Sequence, residues 1–252
     1  MLLLDHTFPT PAENLACDEA LLDFFEERGG SGVLRFWEPQ NYFVVVGYGN
    51  QVEKEVDVAA CRAEGIPILR RCSGGGTVLQ GPGCLNYSLV AKIEENGHLS
   101  SITSANRFIM ERNREAISTE IRSRMPEARA EICGCTDLAL VSRHSSLVTS
   151  RKFSGNAQRR KKNYVLFHGT FLLNFDMPLI ARFLRMPSKE PDYRKGRSHT
   201  DFLANLGLPA DAVKTSLQKI WGAVGGMENV PEEAIALLAR DKYVTKEWNF
   251  KF

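Results

Sequence analysis

The sequence predicts an α+β fold built on a mixed or antiparallel sheet. Extended apolar runs lie mostly in the first two-thirds of the 252 residues, interrupted and flanked by helical patterns. From Met177 onward the pattern is helical, and strand and helix nowhere alternate with the regularity of a doubly wound parallel sheet. No internal repeat or low-complexity linker divides the chain, so one unit over residues 1–252 is expected, helical from about residue 177.

The first helix is signalled at its start. Thr10-Pro11-Ala12-Glu13 combines a Thr cap, Pro at the first helical position and Glu at the third. Leu15, Ala16, Cys17, Leu21, Leu22, Phe24 and Phe25 then recur at helical spacing until Gly29-Gly30. Residues 33–37 and 42–47 read as strands, with Glu38-Pro39-Gln40-Asn41 as the turn between them. Residues 56–64 read as a short helix closed by Gly65, and 66–69 as a strand that starts at Pro67 or lies at an edge. A long amphipathic helix is expected over about 101–125, with Ile102, Ala105, Phe108, Ile109, Ala116, Ile117, Ile121 and Met125 on one face and Pro126 at its end. Strand-like runs follow at 137–141, 147–153 and 163–174, then helical patterns near 210–223 and 231–240.

Hydrophobic residues are 43% and charged residues 25% of the chain, which excludes collagen-like, disordered and disulfide-scaffold classes. The net charge of +2 conceals an uneven distribution. Residues 65–93 and 138–175 contain ten Lys and Arg and no acid, so the rest of the chain is acidic. Two basic segments without acids suggest an anion between them. Met1-Leu2-Leu3-Leu4-Asp5 is too short an apolar run for a secretion signal, and no stretch approaches the length of a spanning helix. A cytosolic protein with no membrane partner is expected, its six cysteines free thiols. The basic residues sit in glycine-rich stretches rather than along one helix, which argues against nucleic-acid binding.

The most informative stretch is Arg70-Arg71-Cys72-Ser73-Gly74-Gly75-Gly76-Thr77-Val78, followed by Gly81-Pro82-Gly83 and Asn86. Consecutive glycines let backbone approach a ligand, and flanking arginine and serine supply donors for a phosphate or carboxylate. The pattern is neither a Walker loop nor a dinucleotide fingerprint. Its plainer reading is a hairpin turn. The second basic segment, Ser150-Arg151-Lys152-Phe153-Ser154-Gly155-Asn156-Ala157, reads as a strand end running into a small-residue turn, with Lys152 a point charge beside it. Arg159-Arg160-Lys161-Lys162 reads as a solvated loop tip or a docking site for an acidic protein. His168-Gly169-Thr170 interrupts an apolar run, where a lone histidine is more often a satisfied core residue than a catalytic one.

Together these segments resemble the lipoate–protein ligase A family, within the wider biotin and lipoate protein ligases. Residues 70–78 with Asn86 are similar to that family's acyl-adenylate loop, Lys152–Ala157 to its Lys-Ile/Val-Ser-Gly-x-Ala motif, and His168–Leu172 to its His-Gly-Thr-Leu-Leu. Weaker similarity extends through Asn14–Leu22, Leu34–Pro39, Val44–Gly47, Tyr193-Arg194 and Arg197–His199. The resemblance implies a mixed sheet flanked by helices, related to class II aminoacyl-tRNA synthetase and biotin ligase catalytic domains. It implies ATP and Mg2+ as co-substrates, lipoate or octanoate as the acyl group, and a lipoyl-carrier domain or glycine cleavage H-type protein as acceptor. It places Lys152 at the acyl carboxylate and α-phosphate. Arg71, Ser73, Gly74, Gly75, Gly76, Thr77 and Val78 would wall the pocket, with Asn86, Ser154, Gly155, Asn156, Ala157, His168 and Gly169 lining the same cleft. Asp137 would serve nucleotide and Mg2+. Phe36, Trp37, Val44, Val46 and Tyr87 are candidates for the acyl tunnel.

The chain departs from the family pattern in reading Gln80-Gly81 where His-Asp is common, and in being too short for a complete accessory C-terminal domain. A separate accessory protein is one expectation that follows. ATP-independent octanoyl or lipoyl transfer through a cysteine, with Cys135 the first candidate, stays open beside ligation. So does a non-catalytic acyl- or nucleotide-binding protein.

Overall fold

Strand register, more than helix packing, positions the candidate site. The computed structural model describes residues 1–144 and 147–252. Its strands are β1 (Leu2–Asp5), β2 (Val33–Trp37), β3 (Phe43–Val46), β4 (Ile68–Arg70), β5 (Val78–Gln80), β6 (Cys84–Lys92), β7 (Ala128–Cys133), β8 (Asp137–His144), β9 (Leu147–Arg160) and β10 (Tyr164–Leu172). Its helices are α1 (Pro11–Arg28), α2 (Val52–Glu55), α3 (Val58–Ala63), α4 (Ile102–Arg124), α5 (Met177–Phe183), α6 (His199–Phe202), α7 (Ala210–Trp221), α8 (Glu232–Leu238) and α9 (Lys246–Asn249).

The larger sheet runs β1-β2-β6-β10-β9-β8-β7 and the smaller β4-β3-β5. Both are mixed: β1–β2 and β3–β4 are parallel pairs and the other pairings antiparallel. The expected α+β class and mixed sheet are therefore observed. The α1 capping box forms as read, Thr10 Oγ1 accepting the Glu13 N–H at 3.2 Å and Glu13 Oε2 accepting that of Thr10 at 2.9 Å. From Met177 onward the regular elements are helical.

Alternating residues divide the larger sheet between two cores. Leu34, Phe36, Tyr87, Leu89, Phe167 and Phe171 face α4 and α7, meeting Ile109, Ile117, Val213 and Leu217. Val33, Trp37, Val90 and Leu166 face α1 and α8, meeting Leu15, Leu22 and Ile235. The smaller sheet packs Val44 and Val46 against Val56, Ile180 and Phe183.

Several local expectations are corrected. Residues 33–37 and 42–47 do not form a hairpin; Glu38–Asn41 carries the chain from one sheet to the other. The glycine loop is no hairpin either, because β4 and β5 flank β3 on opposite sides. The expected 56–64 helix is shortened to α3, since Val56 bridges to Leu184 and Asp57 caps the helix, and α2 before it is an addition. Ile102 lies on the exposed first turn of α4 rather than its buried face. β1, β5, β6 and β7 were not expected as strands. The Arg159–Lys162 segment is largely held to the protein: Arg159 donates to the Cys72 carbonyl, Arg160 to that of Leu99, and Lys161 pairs with Asp23.

Candidate active site

Two rungs across the larger sheet build the floor of the site. One aligns Arg35, Ser88, His168 and Ala157 on neighbouring strands; the next aligns Trp37, Asn86, Thr170 and Gly155. These positions face α1, which contributes the buried Asp18. Asp18 Oδ1 accepts from Arg35 at 2.7 Å and from the Ser88 hydroxyl at 2.6 Å, and Oδ2 meets His168 Nδ1 at 2.7 Å. Burial opposes the Asp18 charge, but the His168 hydrogen bond and the Arg35 guanidinium outweigh it and hold the carboxyl below its ordinary range. His168 Nε2 meets Ser73 Oγ at 2.5 Å. In the second rung Thr170 Oγ1 donates to Asn86 Oδ1 at 2.5 Å, while the Gln80 amide donates to Thr170 and accepts from Asn86.

The two adjacent arginines do different work. Arg71 is buried under the glycine loop and donates to the carbonyls of Gly74 and Gly76 at 2.5 and 2.8 Å, and to Ser73 Oγ at 3.1 Å. Burial lowers its pKa to about 10, which leaves it cationic at neutral pH. Its Nε and Nη2 donors are spent shaping the loop. Gly75 has φ +87°, and a Cβ there would stand 2.8 Å from the Arg71 guanidinium, so the loop's path depends on glycine. Arg70 points away from the site, to the carbonyls of Gly47, Tyr48 and Asn50 and to the C-terminal Trp248 and Asn249. It takes no direct part in the anion site that its place in the motif suggested.

Lys152 lies within β9, not on a loop. The β8–β9 register shifts between Leu138 and Ala139, leaving Phe153 as an extra residue on β9. Such a bulge re-aims its neighbours. Lys152 Nζ consequently lies over Gly155 and contacts Asp137 Oδ1 at 2.8 Å. The Tyr193 hydroxyl donates to Asp137 Oδ2 at 2.7 Å, and burial followed by the Asp137 charge pushes the phenol pKa far up. Further along β9 Asn156 accepts from the Tyr87 hydroxyl at 2.7 Å and donates to the Thr136 carbonyl at 2.7 Å.

These residues surround a cavity of about 550 Å³, within the range of small-molecule sites. Every expected site residue lines it except Ser73 and Gly74; Ser73 lies buried behind the loop. The apolar wall corrects the expected tunnel. Trp37 and Tyr87 line the cavity as expected, but Val44 and Val46 face the smaller sheet's core and Val45 takes their place. Phe36 packs against α4 instead, beside its strand partner Tyr87, whose hydroxyl reaches Asn156 of the cavity wall. Leu15, Val78, Leu172 and Leu203 add apolar side chains to the wall.

The wall also includes Asp18, Glu55, Gln80, Thr170, Arg185 and His199, which sequence reasoning did not assign to the site. One signal was readable: Asp18, four residues after Asn14, sits within the apolar stripe of a well-capped helix. Cys135 is exposed at the cavity wall. Cys17, Cys72 and Cys84 are buried, and burial pushes each thiol up to about 12.

The family described as "Lipoyl protein ligase A/B catalytic domain" matches residues 10–219. The chain belongs to this family. Octanoyltransferase LipM of Geobacillus kaustophilus is 28% identical, covering 98% of the chain and 97% of that protein. Lipoate-protein ligase A subunit 1 of Thermoplasma acidophilum is 26% identical, covering 98% and 95% respectively. Among solved structures, a T. acidophilum putative lipoate protein ligase with bound lipoic acid matches at TM-score 0.76 and 25% identity, covering 99% of this chain and 98% of that one. A lipoate-protein ligase A bound with ATP matches at TM-score 0.75 and 26% identity, covering 99% and 97%. The lipoyl ligase A/B assignment agrees with the resemblance carried by the glycine loop, the Lys152 motif and His168-Gly169-Thr170. Among the described residues, no helix is long and apolar enough to cross a membrane.

Proposed function

We propose that this protein is a cytosolic lipoate–protein ligase, joining lipoate or octanoate to a lysine of a lipoyl-carrier domain by way of an acyl-adenylate. The observation that carries this reading is the polarity of the cavity. Trp37, Val45 and Tyr87 offer an apolar wall for an acyl chain, while Lys152 and the glycine loop offer a cation and backbone donors for its carboxylate. The relatives named as lipoate ligases, and the neighbours with lipoic acid or ATP bound, support the same reading.

In this reaction a carboxylate oxygen attacks the α-phosphorus of ATP and pyrophosphate leaves. The neutral amine of the acceptor lysine then attacks the acyl carbonyl. A C–N bond forms, the C–O bond to AMP breaks, AMP leaves with the electron pair, and the amine proton passes to solvent. Lys152 neutralises charge that develops on the carbonyl and phosphoryl oxygens. Among the described residues, Asp137 Oδ1 meets Lys152 and Oδ2 accepts from Tyr193. The lone pairs left on Asp137 would hold a Mg2+, which would offset charge on the ATP phosphates. Residues 1–252 act as one catalytic unit, and a separate accessory protein is compatible with it.

A second reading rests on Cys135, whose place at the cavity wall suits a thioester intermediate, and on the relatives named octanoyltransferase. One experiment separates the two. Full-length protein is given a lipoyl-carrier domain with either free octanoate, ATP and Mg2+, or octanoyl carrier protein alone, and products are weighed by mass spectrometry. Ligation predicts product only from the first mixture, with Cys135→Ser unaffected. Product from the second mixture, with an octanoyl adduct on Cys135, overturns it.

A further inference from the structure

A run of polar contacts passes beneath the glycine loop, joining Arg71, His168 and Asp18 of the cavity wall through the buried Ser73. Arg71, Ser73, His168 and Asp18 form one continuous chain, drawn from segments far apart in sequence. Its direction follows from its ends. Arg71 can only donate, so Nε–H gives its proton to Ser73 Oγ at 3.1 Å. Asp18, held by Arg35 and Ser88, accepts, so His168 Nδ1 carries a proton. Among the described residues the Ser73 hydroxyl has one acceptor within hydrogen-bond reach, His168 Nε2. A neutral imidazole with Nε2 unprotonated supplies that acceptor. The chain runs one way, from guanidinium to hydroxyl to imidazole to carboxylate.

We propose that Asp18 and His168 are positioning residues that set the orientation of the Ser73 hydroxyl and thereby the conformation of the glycine loop. Asp18 selects the tautomer of His168, as a buried carboxylate selects that of a histidine in other relays. The unprotonated Nε2 then takes the Ser73 proton and leaves a lone pair of Ser73 aimed at Arg71. Arg71, oriented from that side, gives its Nη2 donors to the Gly74 and Gly76 carbonyls. The loop carbonyls thus turn inward, and a ligand anion meets the other side of the loop. Ser73 itself is buried and off the cavity wall, so its hydroxyl is a strut. The inference deepens the proposed function, because the loop it orders is the one assigned to the acyl carboxylate.

Two measurements on the unliganded full chain test it without reference to catalysis. The 15N shifts of His168 should report the Nδ1–H tautomer, and Ser73→Ala should speed amide exchange at residues 74–77 about tenfold or more. A third compares octanoate binding in Ser73→Ala, Asp18→Asn and the double variant. Each single change should weaken binding about tenfold, and the double variant should be no worse than the weaker single, because both act through one strut. An Nε2–H tautomer, unchanged exchange at 74–77, or additive losses overturns the proposal. If Asp18→Asn fails to fold, the tautomer and Ser73→Ala measurements still decide. A chain that passes these tests but makes no acylated product removes the proposed function and leaves the positioning role standing.

Discussion

Asn249, near the end of the chain, holds the backbone of Arg70, 179 residues earlier. Its Oδ1 accepts the Arg70 N–H at 2.8 Å, and its carbonyl accepts from the Arg70 guanidinium at 3.0 Å. Trp248 returns the contact, its indole N–H donating to the Arg70 carbonyl at 2.8 Å. Arg70 in turn gathers the carbonyls of Gly47, Tyr48 and Asn50, and Asn50 donates to the Gly75 carbonyl at 3.1 Å. The glycine loop is thus supported from outside by α9 as well as from within by Arg71.

Asn249→Ala should destabilise the protein by about 1–3 kcal/mol, since it leaves the buried Arg70 N–H without its acceptor. Urea unfolding of the variant and the parent checks this. An unchanged midpoint would mean that α9 is not a structural support of the loop.

Lys152→Ala should lower the acylation rate by about 10²–10³-fold while leaving the unfolding midpoint near that of the parent. Lys152 is partly exposed and, among the described residues, is ion-paired with Asp137 alone, so its loss removes little packing. Product mass and circular dichroism together separate a lost charge from a lost fold.

Gly155→Ala probes the same ammonium from the other side. The new methyl would lie 2.6 Å from Lys152 Nζ and 2.8 Å from Cε, and the flexible lysine would swing off Asp137 to clear it. A turnover loss of about 10²-fold with little change in stability is expected from misplacing one catalytic group. Parental turnover would show that Lys152 need not lie over Gly155.

His199, at the cavity wall, should make the surrounding segment pH-sensitive. Burial, with the Arg194 charge adding to it, holds its pKa below the ordinary 6.5, so the unfolded chain binds a proton that the folded chain resists. The stability this represents is full above about pH 6.5 and is lost as pH falls through the lower folded value. Thermal melts from pH 7.5 to 5.5 should fall more steeply in the parent than in His199→Gln. Equal slopes would exclude His199 as the source.

What could be read from the sequence depended on how local its cause was. The Thr10–Glu13 cap and the run of α4 follow from neighbours within a few residues, and both formed. The Ser-Gly-Asn-Ala run after Lys152 reads as a turn because small residues favour turns. Here they are small because β9 passes beneath Lys152 and beside Tyr87, a tertiary cause with no local mark. Val45, rather than Val44 or Val46, reaches the cavity because strand parity is fixed only once the smaller sheet has a core. The site residues were legible as types and motifs; their roles were not. Arg70 and Arg71 are adjacent and identical in kind, yet one anchors α9 and the other shapes the loop.

The partners that define the site lie far apart in the chain. Ser73 and His168 are 95 residues apart, Asp18 and His168 150, and Arg70 and Asn249 179. Contacts of that span form only after the loop-closure entropy between them has been met, whereas α1 and α4 need only their own neighbours. The ligand cleft should therefore be the last region to become ordered during refolding. In rising denaturant, octanoate binding should disappear at a lower concentration than helical circular dichroism, so that the two transitions separate.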